Sequence, residues 1–318
     1  MNPSTPLREA FWVGPACAVL GVLGFSLKAI FIKLVYAGST VDPVTLLALR
    51  MLYAAPFFLA IAWWSGRKPD AQAISSHDWR SLAALGFIGY YLSSLLDFVG
   101  LQYISAALER LVLFLNPTIV VVLSAIFLGR PITRRAVLAL ALAYAGIALC
   151  LWQNLSIGAA LHATALGTGL VFASALCYAF YLVGSSRVIA RLGSSRFIAW
   201  AMLASTVFVM IHFAATRPLV ALAVPASVHR LTLAMAIMAT VLPTWLIAES
   251  IRRMGASAAS LVGSLGPVFT MGIGAVVLGE PVFAVQLAGA ALVLAGVILV
   301  SRNRPAARGT PRPAAQSD

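Results

Sequence analysis

Ionisable residues stand inside stretches of the sequence that are otherwise apolar, among them Lys28, Arg50, Asp97, Glu109 and Arg110. A charge at the centre of a membrane-spanning helix costs roughly 2.5–3.5 kcal/mol unless it is paired or wetted, so each is a functional candidate. Their types define the available chemistry. Two carboxylates can take up and release protons, and three bases can hold a substrate carboxylate or compensate the acids. Asp97 shares a helical face with Tyr90, Ser93 and Ser94 by the i, i+3, i+4, i+7 rule, a polar stripe that should face a cavity or another helix rather than lipid. Glu109 and Asn116 also share a face. Two readings stand for Asp97 and Glu109: pairing with Arg110 and Arg50 that ties helices together, or a proton exchanged during a transport cycle. The Lys28 ammonium can hold a substrate carboxylate or a neighbouring acid, or its stem can snorkel outward.

Tyr178, Tyr181, Trp245 and His212 are candidate wall groups, apolar bodies with polar tips that suit a mostly apolar solute but also suit core or interfacial packing. Glu249 precedes Arg252 and Arg253 by three and four residues, which fits a local surface salt network or an inner gate contact. Pro117, directly after Asn116, and Pro267, directly after Gly266, each remove a backbone hydrogen bond and mark a hinge or a static kink. No zinc-ligand spacing, G-x-x-x-x-G-K-[ST] loop or G-x-S-x-G elbow is present. The expectation is therefore no metal, no cofactor and no enzymatic reaction. Cys17, Cys150 and Cys177 lie in apolar runs without paired spacing and read as small buried hydrophobes.

The elements that position these residues follow from composition. The 318 residues are 61% hydrophobic and 10% charged, with mean hydropathy +0.97. A soluble domain is about a quarter charged, so this is an all-α integral membrane protein. Roughly 20 apolar residues cross a bilayer core as a helix, and ten segments qualify: 12–36, 43–64, 82–102, 105–128, 135–152, 165–185, 196–215, 231–249, 255–278 and 284–301. They are too long and too evenly apolar for barrel strands. The first run is too long for a cleaved leader and reads as a retained span. The net charge of +13 does not signal nucleic acid. Of the basic residues between spans, sixteen fall in one set of alternate gaps, and only Arg217 and Arg230 fall in the other. That bias predicts both termini in the cytoplasm. The loop at 65–79 reads as merely solvated.

The chain repeats itself. Pro117 and Pro267, Gly129 and Gly279, and Pro131 and Pro281 are each 150 residues apart, and Ala145-Gly146 returns as Ala295-Gly296. With five helices per unit, the second copy must enter the membrane inverted. The expected organisation is a first repeat at 1–152, a second at 153–302 and a disordered basic tail at 303–318. Inverted repeats related by a pseudo-two-fold axis are a carrier architecture in which alternating access comes from rocking one half against the other.

The stretch GLQYISAALERLVLFLNPTIVVVLSAIFLGRP and the turn Leu278-Gly279-Glu280-Pro281 closely resemble the EamA family of the drug/metabolite transporter superfamily. The resemblance implies a multi-pass carrier of the bacterial inner membrane, often an exporter of amino acids, other metabolites or drug-like compounds, with the solute between the two halves. The first repeat departs from the family turn by carrying Arg130 where the second carries Glu280, so the acidic role of that turn is in question there. A lipid or lipid-linked sugar translocase is the alternative, and a membrane enzyme or sensor a more distant one. Expected partners are a small-molecule solute, membrane lipid and, as a candidate coupling ion, the proton, in a monomer or homodimer.

Overall fold

The structure, a computed structural model, describes residues 6–67, 72–129, 131–156, 160–255, 259 and 262–301. The expected tail at 303–318 lies outside the described residues, and so does Arg130. The chain forms α1 (Pro6–Gly38), α2 (Pro43–Gly66), α3 (Ser76–Gly100), α4 (Ala106–Leu113 continuing as Asn116–Leu128), α5 (Arg134–Ser156), α6 (Leu161–Leu192), α7 (Ser194–Thr216), α8 (Ala226–Met254), α9 (Gly266–Leu278) and α10 (Ala284–Ser301). Among the described residues, eight helices, α1 to α8, are long and apolar enough to cross a membrane, so the chain is a multi-pass membrane protein. The apolar parts of α9 and α10 are shorter, and the ten expected spans are met by eight. Part of the ninth expected span, 256–258 and 260–261, lies outside the described residues.

Several helices outrun the apolar segments expected for them. α6 begins at Leu161 and ends only at Leu192, because the helix continues through a polar turn holding Arg187 and Arg191. Their ends have local causes. Asp42 accepts hydrogen bonds from the Val44 and Thr45 amides and precedes Pro43, a residue suited to a first helical turn. Burial pushes the Asp42 carboxyl up, but its bonds to Thr45 and the charge of Arg217 outweigh this and hold it below its ordinary range. Ser75 and Asp78 form a capping box at the start of α3. Gly129 and Gly279 close α4 and α9 in the left-handed region, at φ 63° and 65°.

The 65–79 connection is more than solvated. Arg191 ion-pairs with Asp78, and Arg196 donates to the Gln72 carbonyl. Trp79 packs edge-on against Trp200, with ring centroids 4.8 Å apart. Hydropathy misses this anchoring because the partners lie more than a hundred residues downstream.

Two irregularities recur at the 150-residue spacing. α3 widens to a π stretch at Phe87–Leu92, and α8 does so at Ile237–Val241. α4 is interrupted at Phe114 and Leu115, and the helical turn at 262–263 is likewise separated from α9 by Ser264 and Leu265. At each interruption the turn tightens: the Leu115 amide donates to the Val112 carbonyl and the Leu265 amide to the Val262 carbonyl, both at 3.0 Å. Pro117 and Pro267 follow directly, each missing one donor.

α1 packs on α8, α3 on α6, α2 on α7 and α5 on α10. Phe58, Phe98, Phe197 and Phe213 fill the interior. α5 and α10 meet backbone to backbone. A Cβ on Gly146 would stand 2.4 Å from the Gly289 carbonyl oxygen, and one on Gly296 would stand 2.5 Å from that of Ala139. Small residues permit such approach where packing rather than water exclusion joins helices. Trp12, Trp63, Trp64 and Trp152 are all exposed near helix ends, as interfacial anchors require.

Candidate functional site

Lys28, on α1, lies between two acids from two other helices. Its Nζ donates to Asp97 Oδ2 of α3 at 2.6 Å and stands 3.1 Å from Glu109 Oε1 of α4, the second contact an ion pair without hydrogen-bond alignment. Asp97 and Glu109 are fully buried, and the Lys28 side chain is 19% exposed. Neither acid pairs with Arg50 or Arg110 among the described residues, so the expected helix-tying pairs give way to one shared cation. The reason is reach: a lysine stem entering from a third helix meets both carboxylates, whereas the two arginines are directed elsewhere.

Arg50, from α2, donates through Nε to Thr240 Oγ1 of α8 at 3.2 Å, and its guanidinium lies 5.5 Å from the Phe98 ring centroid. Arg110 lies against Gly266, where a Cβ would come within 2.7 Å of Nη2. Among the described residues, five buried polar atoms here have no hydrogen-bond or ion-pair partner: Arg50 Nη1, Asp97 Oδ1, Glu109 Oε2, Arg110 Nε and Asn116 Oδ1. Buried polar atoms are almost always satisfied in folded proteins, so such a concentration makes this cluster the candidate site.

Of the serine–tyrosine stripe, Tyr90 exchanges a 2.9 Å hydrogen bond with Tyr181, on which Tyr178 stacks at 5.3 Å. Ser93 bonds to Ser174 of α6 at 3.0 Å, while Ser94 is half-buried beside them. Asn116 donates to the Leu113 carbonyl across the break in α4. His212 meets the Tyr91 hydroxyl at 3.0 Å, a satisfied packing residue. Trp245 does not join the group. It is 60% exposed, and among the described residues no hydrogen bond or ring contact ties it to the cluster. Glu249 grips Arg252 and Arg253 at 2.5 and 2.6 Å, the local network and not a link to the acids of α3 and α4.

The sequence reading missed four contributors. Tyr36 donates to the Phe98 carbonyl beside Asp97, Ser26 to the Gly266 carbonyl, Thr240 receives Arg50, and Glu280 accepts from the Ala106 and Ala107 amides. Glu280 was visible as the acid of a repeated turn, but nothing in a linear pattern says which helix end it meets.

The model of the EamA-like transporter family matches twice, at residues 12–152 and 165–302. An uncharacterized transporter of Bacillus subtilis, YcbK, is 30% identical over 89% of this chain and 90% of its own length. A second from the same organism, YyaM, is 29% identical over 70% of this chain and 72% of its own. A crystal structure 20% identical in sequence superposes with a TM-score of 0.57 over 92% of this chain and 97% of that one, a likeness of fold. A membrane bundle with a buried three-helix charge cluster, matched over nearly its whole length by one carrier family, belongs to the EamA-like transporter family.

Proposed function

We propose that the protein is a secondary transporter of a small organic solute, working by alternating access of two inverted five-helix halves and moving its solute outward across the bacterial inner membrane. The observation that carries this reading is the Lys28–Asp97–Glu109 cluster. It joins helices α1, α3 and α4 through three ionisable side chains in the interior of the bundle. The two-fold organisation is supported by the matched irregularities of α3 with α8 and α4 with α9, and by the reciprocal α5–α10 glycine contacts. Both termini lie in the cytoplasm on the charge bias of the loops. Pro117 and Pro267, directly after the interruption within α4 and the one that precedes α9, are where the two halves bend.

The proton is the coupling ion of this reading. Asp97 faces Lys28 of α1 and Glu109 and Arg110 of α4, with Arg50 of α2 and the Tyr36 hydroxyl nearby. A proton arriving at either acid weakens its hold on Lys28 and loosens α1 from α3 or α4. The test is flux into proteoliposomes over a metabolite panel, with and without a pH gradient. Solute-specific, gradient-dependent flux is expected, and no flux above empty vesicles for any solute counts against the reading. Asp97→Asn should retain folding and flatten the pH dependence of flux. An unchanged pH profile in both Asp97→Asn and Glu109→Gln removes these acids from coupling.

A further inference from the structure

The charged cluster has a remote holder. Glu280, in the left-handed turn that ends α9, reaches the start of α4: Oε1 accepts from the Ala106 amide at 3.0 Å and Oε2 from the Ala107 amide at 3.4 Å. Ser105 caps the same end through the Leu108 amide. Exposed amides and the helix dipole make this terminus electropositive, so a carboxylate is the charge it favours. Glu280 is itself held. Its amide donates to the Gly274 carbonyl at 3.2 Å, and a Cβ at Gly274 would stand 3.2 Å from Oε2. The helix it grips is short, eight residues from Ala106 to Leu113, and ends at the interruption before Pro117. That segment carries Glu109 and Arg110. It is a rod fastened at one end by the second repeat's turn and hinged at the other.

We infer that Glu280 is a positioning residue and latch: its grip on the α4 N-terminus holds Glu109 against Lys28 and keeps the cluster shut off from the Glu280 side of the membrane. The inference rests on the transporter reading and deepens it. In the first repeat the matching position is Arg130, a side chain with no acceptor for helix amides. The turn of the first repeat therefore offers no matching carboxylate, and release from the Glu280 side is the step this latch controls. Lys33, close enough to feel the charge of Glu280, lines an open cleft of about 340 Å³ with Tyr36, Asp42 and Gln102, the path that release would open onto.

The experiment uses the full chain with Cys17, Cys150 and Cys177 replaced by alanine and one reporter, Ser94→Cys, treated with a membrane-impermeant maleimide from each face. Glu280→Ala should raise labelling from the Glu280 face by about five- to tenfold, the population shift that a lost charge-assisted helix cap produces. Glu280→Gln, which keeps an acceptor but loses the charge, should fall between. If Glu280→Ala does not fold, Gly274→Val pushes the carboxylate off the α4 amides while leaving residue 280 a glutamate, and should give the same rise. Unchanged labelling in the folded variants overturns the latch, and so does an equal rise from both faces. The readout needs no solute, so a failed flux assay and a failed latch are told apart.

Discussion

Lys28→Met is expected to abolish flux and to cost about 3–5 kcal/mol of stability, because removing one partner of a buried charge set leaves the others uncompensated. Asp97 and Glu109 would then share a buried site with no cation between them. Thermal unfolding in detergent measures the loss, and proteoliposome flux measures the function. The triple variant Lys28→Met, Asp97→Asn, Glu109→Gln separates the two roles. Its groups are neutral and near the original volumes, so most of the stability should return while flux stays at background. Recovery of flux in the triple variant would make the cluster a structural tie and nothing more.

Gly146→Leu is expected to damage folding on a similar scale. Even a methyl group there would meet the Gly289 carbonyl oxygen at 2.4 Å and Val293 Cγ2 at 2.8 Å. Backbone cannot yield as a flexible side chain does, and the facing residue is already glycine, so no smaller partner can compensate. The cost should be about 3 kcal/mol or more, at the upper end for overpacking. It should appear as loss of the monodisperse peak in size-exclusion chromatography. Gly169→Leu on α6 is the control. A Cβ there meets nothing within 4 Å, and the protein should elute and melt like the parent.

Much of the membrane frame could be read from hydropathy alone, because a bilayer forces long apolar helices whose polar flanks are visible in one dimension. Asp97, Glu109 and Lys28 could be nominated as a group for the same reason: charge is rare there and therefore conspicuous. Their actual pairing could not. Arg50 and Arg110 were equally plausible partners by type, and only the angle at which α1 crosses α3 and α4 selects Lys28. Trp245 was named for its polar tip, but the face it takes on α8 depends on the π stretch just before it, which no apolar period reveals. The anchoring of the 65–79 connection and the reach of Glu280 depend on contacts between residues more than a hundred positions apart.

The π stretch at Phe87–Leu92 has a consequence for how this gene can vary in length. It accommodates an extra residue within a single turn of α3, and Ser93 and Asp97 lie downstream of it. Loss of one codon there would let the turn relax to ordinary helix and swing everything after it by about 100°. Asp97 would be carried off the side of α3 that faces Lys28, with every span still intact by hydropathy. Homologues that differ by a one-residue gap at this point should therefore show a displaced acid or a different cation, and an alignment that slides across the gap would pair the wrong residues.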